Sequence, residues 1–166
     1  MSTKKRSKVY SLALIAMMTA VLEVAKFTLN SIANVELVTL LVVLFTLHFT
    51  WKLALPCVLL FATLECMWWG FGTWSIVYYY MWPLLVGLTE VFRQKDDFFF
   101  VFLCTMFGLL FGAFCSLLTL VIGGPAAAVA WWVAGIPYDI VHGVSNFVIA
   151  LVLLKPLRKA LERIVR

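Results

Sequence analysis

The chain has 166 residues, of which 64% are hydrophobic and 13% are charged, and its formal net charge is +5. A soluble domain is about half apolar and about a quarter charged, so 13 basic and 8 acidic side chains are too few to cover a water-soluble surface of this size. The composition therefore indicates an integral membrane protein. It excludes a disordered chain, a coiled coil and a secreted disulfide scaffold.

Cutting the chain at its polar and Gly/Pro-rich points leaves runs close to the roughly 20 apolar residues that a membrane-spanning helix needs. We predict an all-α integral membrane protein, a six-transmembrane-helix bundle in one membrane domain covering 1–166. The predicted spans are 9–29, 35–49, 53–69, 74–92, 98–122 and 126–154, with basic ends at 1–8 and 155–166. The first run follows a strongly basic start and is too long for a cleaved signal peptide, so we expect it to be retained.

Positive charge is segregated in this six-span arrangement. On one side lie 12 of the 13 basic residues, namely Lys4, Lys5, Arg6, Lys8, Lys52, Arg93, Lys95, Lys155, Arg158, Lys159, Arg163 and Arg166. The opposite links 30–34, 70–73 and 123–125 carry no charge. Since cytoplasmic loops are rich in Lys and Arg, both termini are predicted to be cytoplasmic. The basic residues then serve topology and contact with the lipid bilayer, and we expect no nucleic-acid partner.

Ionisable side chains at membrane depth are costly, which makes each of them a candidate functional group. Apart from His48 and Glu90 near the inner edge, those in the predicted spans are Glu23, Lys26, Glu36, Glu65, Asp139 and His142, with the amide of Asn146 nearby in the last span. The aromatic residues near them in the outer half are Trp68, Trp69, Trp74, Tyr78, Tyr79, Tyr80, Trp131, Trp132 and Tyr138. Together these groups predict an outward-opening cavity for a flat, polar, water-soluble molecule, with rings to stack on it and polar groups to bond it.

Simpler roles stay open for the same residues. The aromatic residues are also typical of the anchoring belts at membrane interfaces. Glu23 and Lys26, three positions apart on one helix face, are placed to neutralise each other. Asp139 and His142 have the same spacing and suit a structural pair, a proton relay or ligand contacts. Glu90 is interpreted as an ion-pair partner of Arg93.

The sequence offers no catalytic or metal-binding pattern. H-E-x-x-H, G-x-S-x-G and paired intramembrane aspartates are all missing, so we expect no enzyme activity and no catalytic residue. The cysteines, which stand singly in apolar runs, are interpreted as ordinary small residues, and we expect no metal or cofactor. They are Cys57, Cys66, Cys104 and Cys115.

Small residues mark two places where helices could approach closely. Ala16 and Ala20, with Ala13 nearby, form a small-x-x-x-small step on the first span, which predicts a docking face for another membrane helix. Gly108 and Gly112 form the same step in the fifth span, where packing within the protein is the simpler interpretation.

The chain resembles the substrate-binding S component of an energy-coupling factor (ECF) vitamin transporter. The resemblance lies in the size, the six spans, the basic start followed by "ALIAMMTAVLEV", the corner "WWGFGTWSIVYYYMWP", and the segments "NVELVTLL" and "GGPAAAVAWWVAGIPYDIVHGVSNF". It implies that Ala13, Ala16 and Ala20 contact the shared transmembrane coupling subunit. It also implies a vitamin site in the outer half, at Asn34, Glu36, Glu65, Trp68, Trp69, Trp74, Tyr78, Trp131, Trp132, Asp139, His142 and Asn146.

The mechanism implied by this resemblance is import without ATP hydrolysis by the chain itself. The protein would capture substrate outside a prokaryotic plasma membrane and dock on the coupling subunit, whose two ATPase subunits drive a toppling motion that releases substrate inward. The side chains favour a ring-bearing vitamin or precursor, such as a thiamin-, pyrimidine- or corrinoid-related compound. The alternatives are a stand-alone proton-coupled secondary transporter that uses Asp139 and His142, and a membrane enzyme or assembly factor.

Overall fold

The computed structural model describes residues 8–164, which form six helices and, within that range, no strand. The helices are α1 (Lys8–Leu29), α2 (Val38–Phe49), α3 (Trp51–Trp69), α4 (Thr73–Val91), α5 (Asp97–Leu109) and α6 (Phe111–Ile164). The predicted all-helical fold is confirmed. The predicted basic positions Lys4, Lys5, Arg6 and Arg166 lie outside the described residues.

Three helical segments are long and apolar enough to cross a membrane, judged by length and composition. They are Lys8–Leu29, Trp51–Trp69 and Phe111–Arg163. Two further apolar helices, Val38–Phe49 and Asp97–Leu109, are shorter. Of these two, α2 begins at the candidate site described below.

Helix α6 contains a reversal of the chain at Gly124. Its backbone there has φ 79° and ψ 178°, a left-handed φ that glycine adopts without a steric penalty. Asp139 accepts a hydrogen bond from the amide of Gly112 at 2.9 Å, and the Asn146 side chain donates to the carbonyl of Cys104 at 3.3 Å. Since each bond joins a residue before the reversal to one at a similar distance after it, segments 97–123 and 125–164 form an antiparallel hairpin. The predicted link at 123–125 is therefore the hairpin turn.

Glycine lets the two arms of this hairpin touch backbone to backbone. A Cβ added at Gly108 would lie 2.9 Å from the backbone of His142 and Gly143. A Cβ added at Gly112 would collide with the Asp139 carboxylate. The close approach confirms that the Gly108/Gly112 step serves packing within the protein.

Helix α2 begins at Val38, three residues later than the predicted start of the second span. Its 12 residues rise only about 18 Å, against a hydrocarbon core of about 30 Å. The non-helical segment 30–37 makes up the difference and lies against α6, where Ser145 Oγ donates to the carbonyl of Asn34 at 2.9 Å and the Asn34 side chain donates to the carbonyl of Tyr138 at 3.0 Å. These two bonds hold the irregular backbone of the segment against α6.

The predicted fifth span, 98–122, is interrupted at Leu110, where α5 ends and α6 begins. In the first turn after this break the Asp139 carboxylate accepts a hydrogen bond from the Gly112 amide. It replaces the backbone hydrogen bond that this amide would make in a continuous helix. At the other end of the hairpin the helix continues past the predicted limit of 154 to Ile164. Residues 155–164 of the predicted basic end are thus helical.

Basic side chains gather at the end of the bundle away from the Gly124 turn. Arg93 donates to the carbonyls of Thr46 and Leu47 at the end of α2, at 2.5 and 2.7 Å. It also pairs with Glu90 at 2.8 Å, which confirms that predicted ion pair. Arg158 pairs with Asp97 nearby. We call this region the basic end.

Replacing Gly108 with Ala is expected to loosen the hairpin, because the new methyl group would have to displace backbone of α6. Overpacking of this kind costs about 1–3 kcal/mol, so the Tm of the purified protein in detergent should fall. Gly87→Ala on α4 is the matched control, since nothing lies within 4 Å of its added Cβ. Equal melting temperatures for the two variants would contradict the close approach.

Candidate functional site

A cavity of about 360 Å³ opens where segment 30–37 meets α1, α4 and α6. We call it the polar cavity. Its polar lining consists of Lys26, Asn30, Asn34, Glu36, Tyr78 and His142, and its principal ring walls are Trp82 and Phe111. It exists because α2 starts late, leaving space beside the last turns of α1 that a longer α2 would fill.

Glu36 ties the start of α2 to α6. One carboxylate oxygen accepts a hydrogen bond from the Thr39 amide at 2.8 Å, as expected at a helix N-terminus, where amides lack partners and the dipole favours negative charge. The other oxygen lies 3.2 Å from His142 Nε2, and both side chains are largely buried. The Phe111 ring stands edge-on to the His142 ring at 5.2 Å. The pair is therefore held in place and presents a fixed polar wall to the cavity.

Lys26 on α1 contributes a positive charge to the same space. Its ammonium donates to the Tyr78 hydroxyl at 3.2 Å and lies 5.8 Å from the centre of the Tyr78 ring. Both Glu23 carboxyl oxygens are buried without a hydrogen-bond partner. Of the two roles considered for Lys26, the structure favours the one that directs it into the cavity rather than onto Glu23.

A smaller space of about 240 Å³ adjoins the polar cavity, and we call it the side chamber. It is lined by Lys26, Asn30, Glu65, Trp69, Trp74 and Tyr78. Glu65 is 1% exposed, and its Oε1 has no hydrogen-bond partner. The Trp74 ring stands edge-on to Tyr78 at 5.3 Å. The chamber thus combines an unpartnered carboxyl oxygen with aromatic walls.

Two further spaces of about 400 Å³ each lie towards the Gly124 turn. One is mainly apolar and is lined by Trp74, Tyr78, Phe111, Cys115, Leu118, Ile122 and Trp131, among others. The other is bounded by Asn34, Phe111, Trp131, Tyr138, Asp139 and neighbouring hairpin residues. Because Phe111 lines both of them as well as the polar cavity, its ring separates polar from apolar space.

The structure brings nine of the twelve predicted binding residues to these spaces. Asn34, Glu36, Tyr78 and His142 line the polar cavity, Glu65, Trp69 and Trp74 line the side chamber, and Trp131 and Asp139 line the hairpin spaces.

The other three, Trp68, Trp132 and Asn146, line none of the four. Trp68 is 67% exposed and packs edge-on against Phe27, Trp132 is also exposed, and Asn146 is buried in its bond to α5. Exposure of the two tryptophans fits the anchoring role that was the alternative for them.

Asp139 and His142 have different partners in spite of their spacing. Asp139 Oδ1 takes the Gly112 amide, while its Oδ2 is buried without a partner, and His142 takes Glu36. The structure therefore gives no support to a proton relay between these two residues.

Asn30, Trp82 and Phe111 line the polar cavity but were not predicted to do so. A signal for Trp82 was present in the sequence, since Trp74, Tyr78 and Trp82 follow one another at i+4 and so share a helix face. Their rings do meet edge-on, at 5.3 and 5.5 Å. Phe111 gave no such signal, because its position depends on the break at Leu110.

Comparisons of this chain with protein-family models, with curated proteins and with solved structures found no match.

Glu36→Gln is expected to destabilise the protein, because it removes a charge-assisted bond from the buried His142. Such bonds contribute about 1.5–3 kcal/mol, and the loss should appear as a lower Tm. Glu162→Gln is the control, since Glu162 is 54% exposed and lies 3.9 Å from Arg158, where an ion pair contributes little. A melting temperature unaffected by Glu36→Gln would show that the pair does not hold α2 to α6.

Proposed function

We propose that this protein is the substrate-binding subunit of an ATP-driven importer of the ECF type, and that the polar cavity holds its substrate. The observation that carries the proposal is the convergence of Lys26, Glu36 and His142 on one cavity in a chain with so few charged residues. Ionisable side chains are rare at membrane depth and concentrate where they bind ligands or ions. A purely structural bundle gives no reason to collect them around an open space.

The size and lining of the cavity support a small, ring-bearing, water-soluble substrate. Its volume of about 360 Å³ lies near the lower end of the range for small-molecule sites, which runs from about 300 to 1,000 Å³. Tyr78, Trp82 and Phe111 offer faces and edges to a flat ring, while Asn30 and Asn34 offer amide donors and acceptors. Among vitamin-like compounds the volume favours thiamin- or pyrimidine-related molecules over the larger corrinoids.

The alanine face of α1 supports docking on a membrane partner. Ala13, Ala16 and Ala20 are all exposed, on the side of the helix opposite the buried Leu14, Met18 and Leu22. These alanines therefore contribute nothing to packing within the protein, and small residues allow a partner helix to approach closely. The partner we propose is the transmembrane coupling subunit, which carries two ATPase subunits.

The proposed orientation places the basic end in the cytoplasm of a prokaryotic cell and the Gly124 turn outside its plasma membrane. Arg93, Arg158 and their neighbours lie together at that end, as the enrichment of basic residues on the cytoplasmic side requires. The side chamber, lined by Trp69 and Trp74 from the α3–α4 corner, then lies towards the outer face. Substrate would enter from outside and leave inward only after docking and ATP hydrolysis by the partner.

Ala16→Trp tests the docking face. The large ring should prevent close approach of the coupling subunit and abolish ATP-dependent uptake in cells that supply the ATPase module, while substrate binding by the purified protein stays unchanged. Val148→Trp provides the control, because it adds the same bulk to an exposed position of α6 that is 51% accessible. Normal uptake by the Ala16 variant would refute the docking face.

Lys26→Met tests the cavity. Native mass spectrometry of the purified protein should identify a bound metabolite, and its affinity should fall by about tenfold or more when the charge-assisted bond from Lys26 is lost. Lys52→Met removes a lysine that lies over the Trp51 ring outside the cavity and should leave the affinity unchanged. Equal affinities for the two variants would place the substrate elsewhere.

A further inference from the structure

We propose that the side chamber is a subsite for a cationic group, an ammonium or an N-alkylated ring nitrogen, and that the substrate is a ring-bearing cation. That this ligand is a transported substrate rests on the proposed function. The subsite itself is argued from contacts within this chain. The polar cavity would hold the neutral part of the molecule. Since Lys26, Asn30 and Tyr78 line both spaces, one small ligand can occupy the two together.

The buried carboxyl group of Glu65 is the strongest reason to expect a cation in the side chamber. Its side chain is almost wholly buried, yet Oε1 has no hydrogen-bond partner among the described residues. Placing a carboxylate in such a position is costly unless a cation or donor satisfies it. Because Glu65 lines the chamber, a positively charged group that enters there would supply the missing partner.

The balance of charge around the chamber points the same way. The Glu23 carboxyl lies within hydrogen-bonding reach of that of Glu65, and neither of its oxygens accepts a bond from any other described residue. Lys26 is the cation that lines the chamber, and its ammonium is bonded to the Tyr78 hydroxyl. Two carboxyl groups therefore face one ammonium, which leaves room for a second positive charge.

The walls of the chamber have the chemistry that receives organic cations. Trp69, Trp74 and Tyr78 line it, and the faces of such rings attract ammonium groups, Trp most strongly. The Trp69 ring is held by stacking on Phe27, with centroids 6.2 Å apart. A volume of about 240 Å³ is too small for a whole vitamin but sufficient for a charged head group.

Two other outcomes compete with this proposal. In the first, the carboxyl groups of Glu23 and Glu65 share a proton. In the second, the Lys26 ammonium turns from Tyr78 to Glu65. Either arrangement leaves no unsatisfied negative charge for a ligand. Both therefore predict that ligands of equal size bind without preference for positive charge.

The test uses the full-length protein in lipid nanodiscs with three probes that share one ring and differ in charge: benzylammonium, benzyl alcohol and benzoate. Binding is measured by calorimetry and by the fluorescence of the chamber tryptophans. We expect benzylammonium to bind at least about tenfold more tightly than benzyl alcohol, and benzoate to bind most weakly.

The variant Glu65→Gln should abolish the preference for benzylammonium and leave the affinity for benzyl alcohol unchanged, whereas Glu162→Gln should retain the preference. Should Glu65→Gln fail to fold, Trp74→Leu provides the second variant, with the preference reduced severalfold. Equal binding of the three probes, a preference for benzoate, no binding of any probe at millimolar concentration, or a preference that survives Glu65→Gln would overturn the subsite.

The outcome is independent of the importer assignment, because no ATPase partner is present. A cation preference without ATP-dependent uptake in cells would overturn the importer and leave the subsite standing. Uptake of a neutral or anionic compound, with no cation preference in the probes, would overturn the subsite and leave the importer standing.

Discussion

Backbone groups that lie outside the regular turns of a helix constrain this structure more than any other feature. Segment 30–37 and the break at Leu110 both leave amides and carbonyls without the hydrogen bonds that a continuous helix supplies. The partners come from side chains: Glu36 for the Thr39 amide, Asp139 for the Gly112 amide, and Ser145 for the Asn34 carbonyl. Of the polar residues that bond this irregular backbone, Glu36 and Asp139 also line the cavities. The site therefore lies where the helices are interrupted.

The polar residues of this region are of two kinds: those whose hydrogen bonds are all made within the protein, and those with an atom left unbonded. Glu36 is satisfied on both oxygens, by Thr39 and by His142, and its role in holding α2 is fulfilled in the free protein. Glu65 keeps an unpartnered oxygen, and Lys26 bonds one neutral hydroxyl. Side chains with all their hydrogen bonds made hold the walls of the cavities in place. Side chains with an unbonded atom can still bond a ligand. That distinction cannot be read from residue type, because both glutamates look alike in the sequence.

Local patterns predicted the regular parts of the fold well. Helices α1, α3 and α4 begin and end within two residues of their predicted limits, because apolar runs and Gly-containing corners determine where they stop. The short α2 and the break at Leu110 were not predicted. Both depend on Asp139, Tyr138 and Ser145, which lie far along the chain and contact these segments only once the hairpin has formed. An apolar run of suitable length reveals nothing about bonds from so distant a partner.

The site was predictable to a similar degree. Sequence depth placed Glu36 and Glu65 at the outer ends of their spans and His142 near the middle of its span. The structure brings all three to adjoining spaces. Depth alone gave no information about the direction in which a side chain leaves its helix. For this reason Trp68, which lines none of the spaces, was grouped with Trp69, which lines the side chamber. The i+4 series of Trp74, Tyr78 and Trp82 contained rotational information, since residues at that spacing share a face.

The central position of α2 has a consequence for biogenesis. Most of its side chains are buried by helices made both before and after it, and its bond to His142 comes from the last helix. During synthesis α2 is therefore made before much of its covering exists, with Glu36 still lacking its partner. The bundle closes only when residues beyond His142 have emerged from the ribosome. A chain that stops short of this point leaves the Glu36 carboxylate without its His142 partner and α2 without part of its cover.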